Sequence, residues 1–223
     1  MQKAPQSAGK RSIVRTQSIK RTRGTSPEKT AQTRQSIVDA ALAEFLENGF
    51  ANTTVESVAK RAGVAKGLIY RYFIGKEALF SAVVQQEIVN AHLDVDDAKL
   101  RPDESVENFL RRTLVASIYD IEKKSRADIA RMVIAEGARF PAIAEIYRRD
   151  VIDPLLQKVK RLAAAARKSG ELRDDRIIKH PHLLLAPIWA GIVINKFLDR
   201  EHPINIGELF EVQIDTLFSK GGA

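Results

Sequence analysis

Several features that would assign a protein to a chemical class are missing from this sequence. It contains no cysteine among its 223 residues, which excludes a disulfide framework and a thiolate metal site. It also lacks a nucleophile elbow, a phosphate-binding glycine loop and a paired-carboxylate motif. We therefore expect a protein that is not an enzyme and that needs no cofactor.

Long apolar runs are missing as well. The longest covers residues 183–198, is interrupted by Pro187, Asn195 and Lys196, and is shorter than the roughly 20 residues that a membrane-spanning helix needs. No charged-then-apolar leader opens the chain. We expect a soluble cytoplasmic protein with no membrane partner.

Neither of two residue clusters that suggest a metal is convincing. His180 and His182 flank a proline that constrains them, and no third ligand lies near in the sequence. Asp94, Asp96 and Asp97 lie in a stretch without the glycine and the terminal glutamate of a calcium-binding EF-hand loop. We expect no bound metal and interpret the acidic stretch as a solvated linker.

Two short helices are predicted on either side of Gly63, which can adopt the left-handed conformation that ends a helix. Thr53 can cap the first helix, with Glu56 as its capping-box partner. In the second helix, Ile69 and Phe73 lie four residues apart and can pack inward. This arrangement is typical of a helix-turn-helix that binds DNA.

The opposite face of the second helix carries Lys66, Gly67, Tyr70 and Arg71. Glycine weakens a helix by roughly 1 kcal/mol relative to alanine, so its position here suggests that a partner approaches the backbone closely. A DNA backbone or base edge would fit. The alternative is an ordinary helical hairpin whose cations are merely solvated.

The flanking sequence favours the DNA-binding interpretation. The stretch AALAEFLENGFANTTVESVAKRAGVAKGLIYRYFIGKEALF resembles the DNA-binding domain of the TetR family of bacterial transcriptional regulators, and the match spans about residues 30–91. The resemblance implies an all-α protein, with an N-terminal three-helix helix-turn-helix domain and a C-terminal helical domain that binds an effector and dimerises. We expect these domains over residues 29–92, with the motif at about 54–73, and over 93–223.

The implied function is sequence-specific DNA-binding regulation of transcription, by a repressor that a small-molecule effector releases from its operator. Alternatives are an activator or a protein-responsive regulator of the same fold. A third alternative is a ligand-binding helical protein or enzyme with an incidental helix-turn-helix.

The resemblance also implies which residues contact DNA. Thr54 and Lys76 occupy positions that contact phosphates, at the starts of the second and fourth helices. Positions of the recognition helix that touch bases or backbone are held by Lys66, Gly67, Leu68, Tyr70, Arg71 and Tyr72. Two positions depart from the family pattern. Ala65 stands where the family often has a serine that caps the helix. Leu68 stands where it often has Thr or Ser, so a hydroxyl contact is replaced by a possible apolar contact with a thymine methyl group.

The net charge of +8 is concentrated in an arm that we place at residues 1–28, because residues 1–24 hold seven basic residues and no acid. The arm has few large apolar side chains, so we expect it to be disordered when free. One interpretation is a flexible segment that binds DNA phosphates or lies in the minor groove. The alternative is a solubilising tail, or a start codon assigned too far upstream.

The last two predicted helices, at about residues 183–198 and 206–218, imply a homodimer. In the family such a pair forms a four-helix bundle with its twin, although the pair could instead close the core of a monomer. A two-fold dimer suits a palindromic double-stranded operator with half-sites about 34–36 Å apart or a multiple of that. A long helix from Pro141 is expected to kink at Pro154.

An unidentified small-molecule effector would sit, by analogy, among the helices between residues 106 and 198. A binding pocket needs apolar walls and a few convergent polar groups. The candidates chosen on that basis are Phe109, Tyr119, Met132, Glu136, Arg139, Phe140, Trp189 and Asn195. Each has an equally simple alternative role in the core or on a helix surface.

Overall fold

The structure is a computed structural model that describes residues 27–89, 100–123 and 125–218, and every regular element in these ranges is helical. The all-α prediction is therefore confirmed. Most of the predicted basic arm lies outside the described residues. So do the acidic stretch with Asp94, Asp96 and Asp97 and the domain boundary predicted near residue 92.

Residues 27–89, the described residues of the N-terminal part, form four helices. They are α1 (Pro27–Asn52), α2 (Val55–Ala62), α3 (Lys66–Tyr70) and α4 (Lys76–Val84), and α4 continues as a π-helical turn over Gln85–Val89. Near its end α1 bends at Gly49, whose φ of 74° only glycine adopts readily. The rings of Phe45, Phe50 and Phe80 pack beside this bend with centroids no more than 5.7 Å apart.

The described residues of the C-terminal part form six helices, with a short 3-10 helix at Ile121–Lys123 between the first two. They are α5 (Val106–Leu110, a π-turn Arg111–Val115 and Ala116–Tyr119), α6 (Ser125–Glu136), α7 (Pro141–Tyr147, a π-turn Arg148–Ile152 and Asp153–Lys168), α8 (Arg176–Lys179), α9 (His182–Val193 and a π-turn Ile194–Leu198) and α10 (Ile206–Phe218). α9 packs along α10, while α6 reaches α1 and α7 reaches α4. The apolar core is consequently continuous between the two parts.

A π-turn precedes Pro154 in α7, where the sequence predicted a kink. Proline has no backbone N–H, so the carbonyl of Asp150 lacks its usual partner four residues on. The chain widens to a π-turn over Arg148–Ile152, just before the proline, and resumes an α-helix at Asp153.

No helix in the described part of the chain is both long and apolar enough to span a membrane.

Candidate functional site

The start of α2 is fixed by a capping box. Thr54 Oγ1 accepts a hydrogen bond from the Ser57 N–H at 3.0 Å, and the Thr54 N–H donates to Ser57 Oγ at 3.2 Å. The prediction of Thr53 and Glu56 as the capping pair was therefore wrong by one residue. Thr53 is buried, and its hydroxyl donates to the Gly49 carbonyl at 2.7 Å, which closes the end of α1 instead.

The turn between α2 and α3 forms as predicted. Gly63 adopts φ 68° and ψ 29°, the left-handed conformation expected after a helix. Ala65 precedes α3 and supplies no side-chain cap. Ile69 and Phe73 are buried against the N-terminal core, so they fix which face of α3 meets solvent.

The solvent-facing side of α3 carries most of the predicted DNA contacts. Lys66, Gly67 and Arg71 are exposed, and Tyr70 is 52% exposed. The remaining two recognition positions, Leu68 and Tyr72, are half-buried. Thr54 is exposed at the start of α2. We call Thr54 together with residues 66–68 and 70–72 the α3 surface.

The cations near this surface differ in whether they are paired with an acidic side chain. Lys66 Nζ lies 3.2 Å from Glu56 Oε2 in an exposed ion pair. Arg61 binds Glu44, and this hydrogen bond is the main cause of the raised pKa of Arg61. Arg71 forms no ion pair with any residue that the structure describes, so it is available to an incoming anion.

Gly67 leaves open space above the start of α3. A Cβ atom built there would meet no described protein atom within 4 Å. Packing within the described chain does not require glycine at this position, and its φ is not in the left-handed region. A close approach by an external partner therefore remains the best explanation for Gly67.

Lys76, a predicted phosphate contact, is bonded to the backbone of α1 in this structure. Its ammonium group donates to the Phe50 carbonyl at 2.6 Å and lies 4.3 Å from the centre of the Phe50 ring. Burial lowers the pKa of Lys76 below that of an exposed lysine. In this structure Lys76 therefore stabilises the carbonyl end of α1.

The junction between the two parts of the molecule centres on Glu136, the last residue of α6. Its carboxylate accepts hydrogen bonds from the backbone N–H groups of Phe50 at 2.9 Å and Ala51 at 2.7 Å. A Cβ on Gly49 would lie 2.7 Å from Glu136 Oε1, so the contact requires glycine at the bend of α1. Glu136, a residue of the C-terminal part, thus stabilises the bend of α1 that precedes α2.

Two neighbouring cavities lie within the C-terminal part. The first has a volume of about 100 Å³ and an almost entirely apolar wall, to which Tyr147 and Arg126 contribute the largest polar groups. The second, of about 320 Å³, shares several wall residues with the first. The shared residues are Ile88, Leu114, Val151 and Leu155. The wall of the second cavity also contains Asp150, Lys158 and Arg161. Apolar walls with a few polar groups suit a small organic ligand.

Comparison with known proteins decides the family. Residues 37–83 match a family described as bacterial regulatory proteins, tetR family, and residues 108–177 match the C-terminal domain described as AefR-like transcriptional repressor. The HTH-type transcriptional regulator RutR of Escherichia coli strain K12 is 30% identical over 178 residues, with 79% of each chain covered. The chain belongs to the TetR family.

Further TetR-family proteins are similar over most of their length. UidR of E. coli strain K12 is 29% identical over 164 residues, which cover 72% of this chain and 80% of UidR. The SmeT–triclosan complex shares the fold with a TM-score of 0.69 at 21% identity, over 85% of this chain and 93% of SmeT. The present TetR-family chain is a DNA-binding transcriptional regulator, as its sequence predicted.

Two of the eight predicted effector contacts in this TetR-family chain line one of the two cavities described above. Trp189 lines the first cavity and Phe109 the second. Met132 is buried in the core and lines neither of the two. Glu136, as described above, is hydrogen-bonded to α1. A buried position of this kind is usual for methionine, which packs well in apolar cores.

The four other candidates have structural roles. Tyr119 packs on Gly207, where a Cβ would lie 2.4 Å from the ring, and its hydroxyl donates to Glu211. Asn195 holds the backbone of Ile204 through hydrogen bonds of 2.7 and 2.9 Å. At the junction with α1, the Phe140 ring lies 5.3 Å from that of Phe50, and Arg139 lies over Phe140.

Two further residues were not singled out from the sequence. Arg126 is only 9% exposed and lines the first cavity. The signal was present, since Arg126 precedes Ile129 by three residues and Ala130 by four and so lies on the apolar face of α6. Ile74 is 92% exposed in the loop between α3 and α4, and a lone apolar residue in a loop gives no such signal.

Metal ligands are not clustered in the part of the chain that the structure describes. Within it, no group of three or more His, Cys, Asp or Glu residues is placed to hold a metal ion.

Proposed function

We propose that this protein is a homodimeric repressor that binds a palindromic operator through the α3 surface and leaves it when a small molecule occupies the C-terminal cavities. The observation that carries the proposal is the exposed pair Tyr70 and Arg71 on a helix whose rotation is fixed by buried Ile69. The match of the C-terminal part to a repressor domain favours repression over activation.

The proposed contacts differ in what they contribute. Arg71 can form two hydrogen bonds with a guanine edge, and such a pair discriminates between bases by about 1–3 kcal/mol. Lys66 must break its ion pair with Glu56 before it can bind a DNA phosphate or base. Thr54, Gly67, Leu68, Tyr70 and Tyr72 complete the proposed surface. Lys76 is omitted because its ammonium is bound to the end of α1.

Fluorescence anisotropy with DNA from upstream of the protein's own gene tests this surface. Changing Tyr70 and Arg71 to alanine should weaken binding at least roughly tenfold, since loss of one bidentate base contact alone is worth about 1–3 kcal/mol. Arg200→Ala is the matched control, because it removes an exposed arginine from the loop before α10. Undiminished operator binding by the double variant would exclude the proposed surface.

The sign of regulation needs a second measurement. A reporter driven by the same upstream DNA should become more active when the gene is deleted. A fall in reporter activity would instead indicate an activator.

Exposed apolar side chains on α9 and α10 support the proposed dimer. Leu183 is 42% exposed, Phe197 is 45% exposed and Val212 is 59% exposed. Between the first two, Ala186 and Ala190 are exposed at helical spacing on α9, and their small side chains allow a second helix to approach closely. A continuous apolar strip of this kind on a monomer marks an interaction surface.

Light scattering tests the dimer directly. Ala190→Glu would place a charge in the centre of the strip and should convert a dimer to a monomer with reduced operator affinity. Lys196→Glu is a control on the same helix, because Lys196 is exposed and already charged. A dimeric Ala190→Glu variant would place the interface elsewhere.

Two helices connect the cavities with the helix-turn-helix, and this supports effector-controlled release. α4 begins at Lys76 beside α1, and Ile88 in its π-turn lines both cavities. α6 carries Arg126 in the first cavity and Glu136 at the bend of α1. A ligand that favours another position of these helices shifts the population towards a spacing of the two α3 surfaces that no longer matches the operator.

A further inference from the structure

We propose that the C-terminal cavities bind an apolar monocarboxylate and that Arg126, with Ser117 and Tyr147, recognises its carboxylate group. The identification of this ligand as the effector rests on the proposed function, whereas its binding can be measured without DNA. The argument starts from a buried cation that lacks an acidic partner.

Arg126 is nine-tenths buried in the wall of the first cavity. Its Nη1 donates to Ser117 Oγ at 2.8 Å, and no carboxylate of a described residue forms an ion pair with it. Buried arginines are nearly always paired, because removing a charge from water is costly. A guanidinium has five N–H donors, so most of its capacity remains for a ligand.

Acidic groups that are close to Arg126 in sequence, or bonded to its neighbour Ser125, are engaged elsewhere. Glu122 binds Arg131 and accepts a hydrogen bond from Asn195. Asp128 also pairs with Arg131, at 3.0 Å. Glu87 accepts a hydrogen bond from the hydroxyl of Ser125, the residue before Arg126. The fold therefore satisfies these acids without using Arg126.

Tyr147 supplies a second hydrogen-bond donor in the same wall. It packs edge-on against Trp189, with ring centroids 6.1 Å apart, and its hydroxyl forms no hydrogen bond with a described residue. Burial raises the pKa of the Tyr147 phenol, so the group stays protonated and able to donate. The wall of the first cavity therefore contains one positive charge, from Arg126, and two neutral hydroxyl groups, from Ser117 and Tyr147.

One cation in an apolar wall matches a ligand with a single negative charge. The planar fork of an arginine fits a carboxylate through two parallel hydrogen bonds. A phosphate monoester would bring a second charge that no other cation of the first cavity neutralises. The body of the ligand would be apolar where it passes Leu114 and Leu155 towards Phe109. The charged residues of the second cavity are Asp150, Lys158 and Arg161, and Asp150 is paired with Arg149.

Isothermal titration calorimetry of the full-length protein with octanoate tests the proposal, with 1-octanol as the neutral probe of equal chain length. Wild-type protein should bind octanoate more tightly than octanol. Arg126→Met should lose octanoate affinity by roughly ten- to a hundredfold, the factor expected for hydrogen bonds to a charged group, and should keep octanol affinity. Arg126→Lys should lie between the two, because it keeps the charge without the fork.

Arg200→Met serves as a control for the loss of an arginine outside the cavities, and should bind octanoate as the wild type does. Folding of the Arg126→Met variant is checked by its helical circular dichroism and by operator binding without ligand, both of which should match the wild type. Equal affinity for octanoate and octanol, equal octanoate affinity of the wild type and Arg126→Met, or no octanoate binding would each overturn the proposal. Octanoate binding that leaves operator affinity unchanged would confirm the carboxylate site and contradict its role as effector site.

Discussion

The contact between Glu136 and the bend of α1 makes a quantitative prediction about how the two parts of the molecule are coupled. Removing the carboxylate by Glu136→Ala leaves the N–H groups of Phe50 and Ala51 without their acceptor. Hydrogen bonds to a charged group contribute about 1.5–3 kcal/mol each when buried. Because Glu136 is half-buried, we expect the variant to lose about 2 kcal/mol of unfolding free energy in total.

Gly49→Ala perturbs the same contact from the other side. A non-glycine residue at a φ of 74° costs roughly 1–2 kcal/mol. The new methyl group would also lie 2.7 Å from Glu136 Oε1 and displace the carboxylate. We therefore expect a loss of about 3–4 kcal/mol, of which about 2 kcal/mol comes from Glu136 and should vanish in a Glu136→Ala background.

A double-mutant cycle measures this shared component. Urea unfolding at one fixed protein concentration gives the free energies, since unfolding of a dimer depends on concentration. The double variant should be about as stable as Gly49→Ala alone, which corresponds to an interaction energy of about 2 kcal/mol. If the two losses add within about 0.5 kcal/mol, the carboxylate does not hold the bend and the reasoning is refuted.

Three further predictions follow from single residues. Gly67→Ala should stabilise α3 by up to about 1 kcal/mol in thermal unfolding yet weaken operator binding; tighter binding would show that DNA does not approach this position. Lys76→Met should leave the salt dependence of operator binding unchanged, whereas Lys66→Met should reduce its slope by about one if Lys66 contacts a phosphate. Arg112 lowers the pKa of Glu104 to about 2. The stability from this pair is thus present above the ordinary value of 4.5 and is lost as the pH falls towards 2, so acid unfolding of Glu104→Gln should depend less on pH over this range.

The N-terminal part could be predicted closely because its determinants are local. Glycine at position 63 and apolar residues at 69 and 73 suffice to specify the turn and the buried face of α3. The choice of helix cap could not be predicted, because Thr53 and Thr54 are both good caps. Thr53 is instead drawn into the core, where its hydroxyl bonds to the bent end of α1.

The C-terminal helices were predictable, but the residues that line their cavities were not. Helical periodicity places Met132, Tyr119 and Asn195 on inward faces without revealing whether they meet another side chain or a cavity. The contacts that decide this are distant in sequence, such as that between Tyr119 and Gly207. Arg126 could have been found, because a cation on an apolar helix face has few purely structural explanations.

The positions of Arg126 and Glu136 on one helix suggest how ligand binding reaches DNA. Ten residues separate them, which corresponds to about 15 Å along α6. A carboxylate bound to Arg126 adds an attraction at one end of α6, while Glu136 holds the bend before α2 at the other end. Since the interior of α6 is packed with buried Ile129 and Ala130, the helix responds as a unit, and movement at one end displaces the other. Glu136→Ala should therefore preserve octanoate binding while reducing the effect of octanoate on operator affinity, a separation that an independent route through α4 would not produce.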